Sequence, residues 1–235
     1  MSKTHASPGN PPLCGRIWAP ATALLATFLA SCTAVPPPPH AHHSAPRPVA
    51  HYPPPETYGQ CLADLGARSA SYTALPDQYY GAGCATTNAV RLVSLSSDNA
   101  PLALSNLGPV TCPLASTFAG WARFGVDRAA RTILGSPLTK IETMGSYNCR
   151  NIAGSEKRSA HATGNAIDVS GFVLADGRRI SVLGNWSAGT PQEREFLRVI
   201  HQSACKRFGV VLGPDYNSAH RNHFHVELAN NAICR

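Results

Sequence analysis

No aspartate or glutamate stands before Glu56; all 13 acids of the 235-residue chain lie at or beyond it. Residues 1–55 carry only Lys3, Arg16 and Arg47 as fixed charges, +3 of the formal net charge of +7, and residues 56–235 hold the other +4. The front quarter is therefore a different material, and about 180 residues are left for one domain with a sizeable core. No run of lysine or arginine occurs, which argues against the clustered basic surface of a nucleic-acid binder. An anionic polymer or a carboxylate-bearing substrate stays open. No C-x-x-C spacing occurs, so a zinc-thiolate centre is not indicated. No apolar stretch reaches the ~20 residues of a membrane-spanning helix.

What is present at the front reads as an export signal. Arg16 precedes an apolar run from Ile17 to Ala30, the length of a signal core. The run ends in Leu29-Ala30-Ser31-Cys32, which resembles the bacterial lipobox, whose cysteine becomes the lipidated first residue of the mature chain. The alternative is an ordinary signal followed by an incidental cysteine. Thr33, in place of an aspartate, implies the outer membrane, with the protein anchored by acyl chains and facing the periplasm. Residues 33–55 follow as a Pro/His-rich linker. Pro36 to Pro39 and Pro53 to Pro55 exclude helix and sheet ladders and favour an extended polyproline conformation. At ~3.1 Å per residue the linker reaches roughly 70 Å. His40, His42, His43 and His51 read as solvated spacer residues, not metal ligands.

With Cys14 in the signal and Cys32 assigned to lipid, Cys61, Cys84, Cys112, Cys149, Cys205 and Cys234 remain. Six cysteines in an exported domain imply three disulfides. Proximity along the chain favours 61–84, 112–149 and 205–234 among the 15 possible pairings. Periodicity gives a mixed domain without repeats. Leu114, Phe118, Trp121, Ala122 and Ile133 form the apolar face of a helix within 113–134, weakened by Gly120 and Gly125. Thr190-Pro191-Gln192-Glu193 has capping-box spacing and opens a second helix with Phe196, Val199, Ile200 and Phe208 as its buried stripe. Strand-like runs span 89–95, 139–147, 166–174, 179–183, 210–212 and 223–228, and Ala175-Asp176-Gly177 reads as a hairpin turn. The expected architecture is α+β, a small antiparallel sheet flanked by helices and stapled by disulfides. Segments 73–110 and 171–190 are expected to be loops that shape a groove.

The chemistry gathers in two stretches. In Ser159-Ala160-His161-Ala162-Thr163-Gly164-Asn165-Ala166-Ile167-Asp168, a histidine and an aspartate flank a glycine that permits a tight turn. In His220-Arg221-Asn222-His223-Phe224-His225-Val226-Glu227, His223 and His225 share one face of a strand while Phe224 takes the other. Two histidines and one aspartate give zinc three protein ligands and an open fourth position. His201, inside the second helix, reads as a surface or packing residue.

The first stretch resembles the S-x-H-x-x-G-x-A-x-D motif of zinc D-Ala-D-Ala carboxypeptidases, and His220 to His225 resembles the H-x-x-H-x-H ending of penicillin-insensitive murein endopeptidases. Over 56–235, including Gly145-Ser146-Tyr147-Asn148-Cys149-Arg150-Asn151, the chain is most similar to the bacterial extensin-like C-terminal domain family. The resemblance implies a zinc-bearing sheet with His161, Asp168 and His225 as ligands. It implies His223 and His220 as proton-transfer or oxyanion-binding histidines. Arg150 is matched to an upstream arginine that clamps a substrate carboxylate or the oxyanion, or is a structural arginine beside a disulfide. It also implies peptidoglycan as partner, with its stem peptides or cross-links cleaved by a hydrolase that chelators inhibit and β-lactams do not. One departure is plain: the E-x-x-H glutamate of the carboxypeptidases is missing. Asp215 and Glu227 are the nearest acids, with Glu227 on the site-facing side of its strand. Two other readings use the same features: a lipid-tethered peptidoglycan-binding envelope protein without catalysis, and a zinc amidase.

Overall fold

The computed structural model describes residues 57–235; the expected signal, Cys32 and the proline linker lie outside them. A ten-stranded sheet forms the frame. In chain order the elements open with α1 (Tyr58–Ala67) and β1 (Ser71–Ala74), then the hairpin of β2 (Gln78–Gly81) and β3 (Cys84–Thr86). β4 (Ala89–Ser96), β5 (Pro101–Ser105) and β6 (Val110–Thr111) lead into α2 (Cys112–Trp121). β7 (Leu138–Gly145), β8 (Ala166–Leu174), β9 (Arg179–Ser181) and the short α3 (Val182–Asn185) follow. α4 (Pro191–Cys205), β10 (Val210–Leu212), β11 (Phe224–Glu227) and β12 (Ile233–Cys234) complete the chain.

The sheet runs β1-β4-β5-β7-β8-β11-β10-β12, with β6 on β4 and β9 on β8. It is larger than the small sheet expected, and it is mixed: β5–β7 and β10–β12 are parallel. The β5–β7 pairing has a cause in the connection, because the α2 region provides the long crossover that parallel neighbours need. The strand expected over 89–95 is present as β4, and the remainder of 73–110, expected as loop, carries further short strands that turns of two to four residues hide from periodicity. The strand expected over 179–183 ends at Ser181.

The α2 helix runs on without a break into π-helical turns at Ala122–Asp127 and Ala130–Leu134. Gly125 does not end it. A Cβ there would stand 2.6 Å from Ser203 Oγ and 2.8 Å from Trp121 Cδ1, so the glycine lets this helix lie against α4. Trp121 Nε1 donates to the Ile200 carbonyl at 3.0 Å, and the ring meets Phe172 and Phe208 edge-on. α4 starts with the expected capping box: Glu193 N donates to Thr190 Oγ1, and Thr190 N donates to the Glu193 carboxylate. Phe196, Ile200 and Phe208 are buried as expected, but Val199 is exposed, and Leu197 and His201 complete the stripe.

This helical layer covers one face of the sheet. In β8, Ile167, Val169 and Phe172 are buried, and in β11 so are Phe224 and Val226, with Phe224 packed on Trp186 and His201. Alternation turns Asp168, His225 and Glu227 to the other face. The disulfides are Cys61–Cys112, Cys84–Cys149 and Cys205–Cys234. Only the last is the pair that chain proximity favoured. α1 packs on α2, which brings Cys61 to Cys112, while the β2–β3 hairpin carries Cys84 away to the segment after β7. No helix among the described residues is long and apolar enough to cross a membrane.

Candidate metal centre

His161 lies on a 3-10 turn, Ala160–Thr163, that Ser159 caps by accepting the His161 N–H. Gly164 closes the turn at φ +65°, and a Cβ there would stand 3.2 Å from the Pro109 carbonyl oxygen, so two constraints favour glycine. The backbone also holds the turn to the segment after β7, because Asn148 N donates to the His161 carbonyl at 3.0 Å. Asp168 and His225 are direct cross-strand partners in the antiparallel β8–β11 pair. A turn residue and two paired strand residues thus meet although 64 positions separate His161 from His225.

The ring nitrogens are oriented by acceptors. His161 Nδ1 stands 2.9 Å from the Ser146 carbonyl, which can only accept, so Nδ1 carries the proton and Nε2 is bare. His225 Nε2 stands 3.2 Å from Glu227 Oε2, so in the neutral ring His225 Nδ1 is the bare atom. Those two lone pairs and the Asp168 carboxylate converge. His161 Nε2 is 3.2 Å from His225 Nδ1 and 3.3 Å from Asp168 Oδ2, and His225 Nδ1 is 3.0 Å from Asp168 Oδ1. Three acceptors at this spacing repel one another unless a cation or a proton sits between them. Ligands at ~2.05 Å around a tetrahedral zinc stand about 3.3 Å apart, so the donor set fits zinc in chemistry and in span.

Without metal, a proton takes the cation's place. Burial works against a charged His225, but hydrogen bonds to Asp168 and Glu227 outweigh it and push its pKa up to about 9. Burial would raise Asp168, yet the hydrogen bond from His225 and the neighbouring His161 and His223 rings hold it well below the ordinary carboxylate range.

His223 sits one residue before β11, not on it, and its ring still reaches the site. Its Nδ1 is 2.9 Å from Asn222 Oδ1, and its Nε2 is 3.5 Å from Asp168 Oδ1. His220, on the 3-10 turn Ser218–His220, places Nδ1 2.7 Å from Asn217 Oδ1, and its ring lies 5.1 Å from that of His223. Burial, then the nearby histidines, lower His220 to about 4; burial likewise lowers His223 against the pull of Asp168. Both rings are neutral at pH 7 and can accept a proton. Arg150 is exposed and donates to the Asn151 carbonyl at 3.4 Å, with its charge felt at His220 and His223. It stands near the cluster without bonding to it.

Asp215 lies elsewhere, accepting from Trp186 Nε1 and Arg198. The sequence flagged Glu227 but did not show the Ser146 carbonyl, Asn217 or Asn222 as orienting groups; carbonyls leave no residue-type signal, whereas an asparagine one or three positions before a histidine does. His201, Cys205 and Cys234 also cluster, but the two cysteines are disulfide-bonded and offer no thiolate. His201 is a buried packing residue whose Nε2 is 3.1 Å from the Arg235 carbonyl. Segment 171–190 contributes no side chain to the centre.

The family model described as "Extensin-like protein C-terminus" matches residues 59–235. Comparisons with curated proteins and with solved structures gave no match.

Proposed function

The chain belongs to the extensin-like C-terminal family, and from that membership and the converging acceptor atoms we propose that it is a zinc-dependent hydrolase cleaving peptide bonds in peptidoglycan stem peptides or cross-links. The observation that carries this reading is the set of His161 Nε2, Asp168 and His225 Nδ1, in which the Ser146 carbonyl and Glu227 orient the two buried rings so that their bare nitrogens face the Asp168 carboxylate. The similarity of the two histidine stretches to zinc D-Ala-D-Ala carboxypeptidases and murein endopeptidases supplies the substrate class. In its exported, lipid-anchored form at Cys32, the domain works from the outer membrane on the wall, across the span of its linker.

When bound, zinc supplies Lewis-acid polarisation of the scissile carbonyl and water made acidic enough to react near neutral pH. The residues provide the remainder. His161, Asp168 and His225 would hold the ion, and Glu227 and the Ser146 carbonyl keep the two rings from rotating. His223, neutral and with Nε2 toward the site, takes a proton from the attacking water and returns one to the leaving amine. It fills the place of the missing glutamate. His220 stands behind it in the same network. Arg150 offers paired donors for a substrate carboxylate or the developing oxyanion. No serine or cysteine nucleophile is used, so β-lactams have nothing to acylate.

The test is metal content and turnover together. One equivalent of zinc is expected by elemental analysis, chelation is expected to abolish release of muropeptides from sacculi, and His161→Ala is expected to lose both. Activity that survives chelation contradicts the reading. A static wall tether, to which the lipid site and spacer are equally suited, would instead bind sacculi without releasing fragments. A zinc amidase would release intact peptides cut from the sugar.

A further inference from the structure

Four aromatic side chains are exposed among the described residues: Tyr79 at 77%, Tyr80 at 52%, Tyr216 at 47% and Phe124 at 41%. Phe124 has an explanation, since the guanidinium groups of Arg123 and Arg128 lie 5.1 and 4.7 Å from its ring centre. The three tyrosines have no such cover, and all stand on segments that adjoin the histidine cluster. The Tyr216 ring is 5.4 Å from that of His220. The Tyr80 ring is 5.1 Å from that of Tyr147, the residue after the carbonyl that orients His161.

In the β2–β3 hairpin, β3 buries Cys84 and Thr86, but β2, which presents Tyr79 and Tyr80, buries nothing. All four residues of β2 are exposed, and the hairpin forms a sheet of its own. It is nevertheless fastened: Cys84 is bonded to Cys149, and Arg158 Nε donates to the Ala82 carbonyl at 2.6 Å while also bonding Asn151 Oδ1. A rigidly held hairpin with bare aromatic rings is costly in solvent exposure and cheap to bind with, because little conformational freedom is left to lose. Beneath it, the Tyr147 hydroxyl is shielded from solvent and has no hydrogen-bond partner.

We propose that Tyr80 and Tyr216 form an aromatic binding surface, one ring on each of two segments adjoining the metal centre, that stacks the sugar rings of the glycan strand. The proposal rests on the peptidoglycan reading above. A pyranose ring turns C–H groups to one face and hydroxyl or amide groups to its rim, and the electron-rich face of a tyrosine complements the former while its phenol reaches the latter. The chain around the rings is polar or small, with Gln78, Gly81 and Gly83 on one segment and Asn217 and Ser218 on the other. That setting suits a flat, half-polar ring better than an aliphatic chain, which needs a continuous apolar groove.

The probe is tetra-N-acetylglucosamine, an uncharged glycan without peptide, titrated calorimetrically into the chelator-treated full chain. Saturable binding is expected. Tyr80→Ala and Tyr216→Ala should each weaken it about tenfold, and Tyr80→Phe should preserve most of it. Because the two tyrosines sit on separate segments, misfolding at one leaves the other readable. Absence of saturable binding, unchanged affinity in both alanine variants, or tyrosine-dependent affinity for a sugar-free stem peptide in place of the glycan overturns the proposal. Glycan binding without hydrolysis contradicts the hydrolase reading alone; hydrolysis without tyrosine-dependent glycan affinity contradicts this surface alone.

Discussion

His225 depends on Glu227 more directly than on any backbone group, because the carboxylate fixes which ring nitrogen faces Asp168. Glu227→Gln keeps an acceptor but removes its charge, and zinc affinity measured by competition with a chromophoric chelator should fall ~10-fold or more. Asp168→Asn should cost more, since it removes an anionic ligand. His223→Ala is expected to behave differently: zinc content near one equivalent, with turnover reduced ~10²-fold or more, the usual range for a lost proton carrier. If His223→Ala loses metal and turnover together, its role is structural. That His161, Asp168 and His225 would come together was legible in the sequence, because two short stretches hold most of the domain's histidines and a strand sets His223 and His225 on one face. Its orientation was not, because the Ser146 carbonyl that holds His161 looks like every other carbonyl until the chain is folded.

The His161 turn and the hairpin are bound together through the segment that follows β7. Cys149 holds Cys84, Ser146 holds the His161 ring and Asn148 holds its backbone. Replacing both Cys84 and Cys149 by serine should therefore lower zinc affinity as well as stability, with about 4 kcal/mol at stake in the chain-entropy picture for a bridge spanning 65 residues. Loss of stability with zinc affinity unchanged would show that the hairpin is not coupled to the centre. β8 and α4 were readable element by element, from a long, largely apolar strand and a capping box with a period of 3.6. β1, β2, β3 and β5 were not: strands of three to five residues carry too few alternations to stand out, and β2 has no buried face to alternate with. The pairing of cysteines failed for a related reason. Neighbours along the chain, such as Cys61 and Cys84, are separated in space by helix packing and sheet order that no local pattern contains.

At the scale of the whole domain, the metal-free fold should respond to pH through its histidines. The His225 pKa is raised in the fold, so its contribution is fully present below the unfolded value of ~6.5 and is lost as pH rises through about 9. For His220, depressed to about 4, and His223, also depressed, the contribution is present above ~6.5 and lost as pH falls. Chelator-treated protein should therefore show a thermal midpoint that is greatest near neutrality and declines on both sides, whereas zinc should flatten the alkaline limb by replacing the His225 proton. Identical pH profiles with and without zinc would contradict this balance. A mixed α+β domain was readable from periodicity, while the size of its sheet was not, since it depends on long-range pairings such as β5 with β7. The most direct test of the account is the muropeptide profile of purified sacculi after exposure to the zinc-loaded chain, read by mass spectrometry beside a His161→Ala control. New fragments cut between peptide residues, absent from the control, are the predicted result; an unchanged profile from zinc-loaded protein, or equal cleavage by the variant, would contradict it.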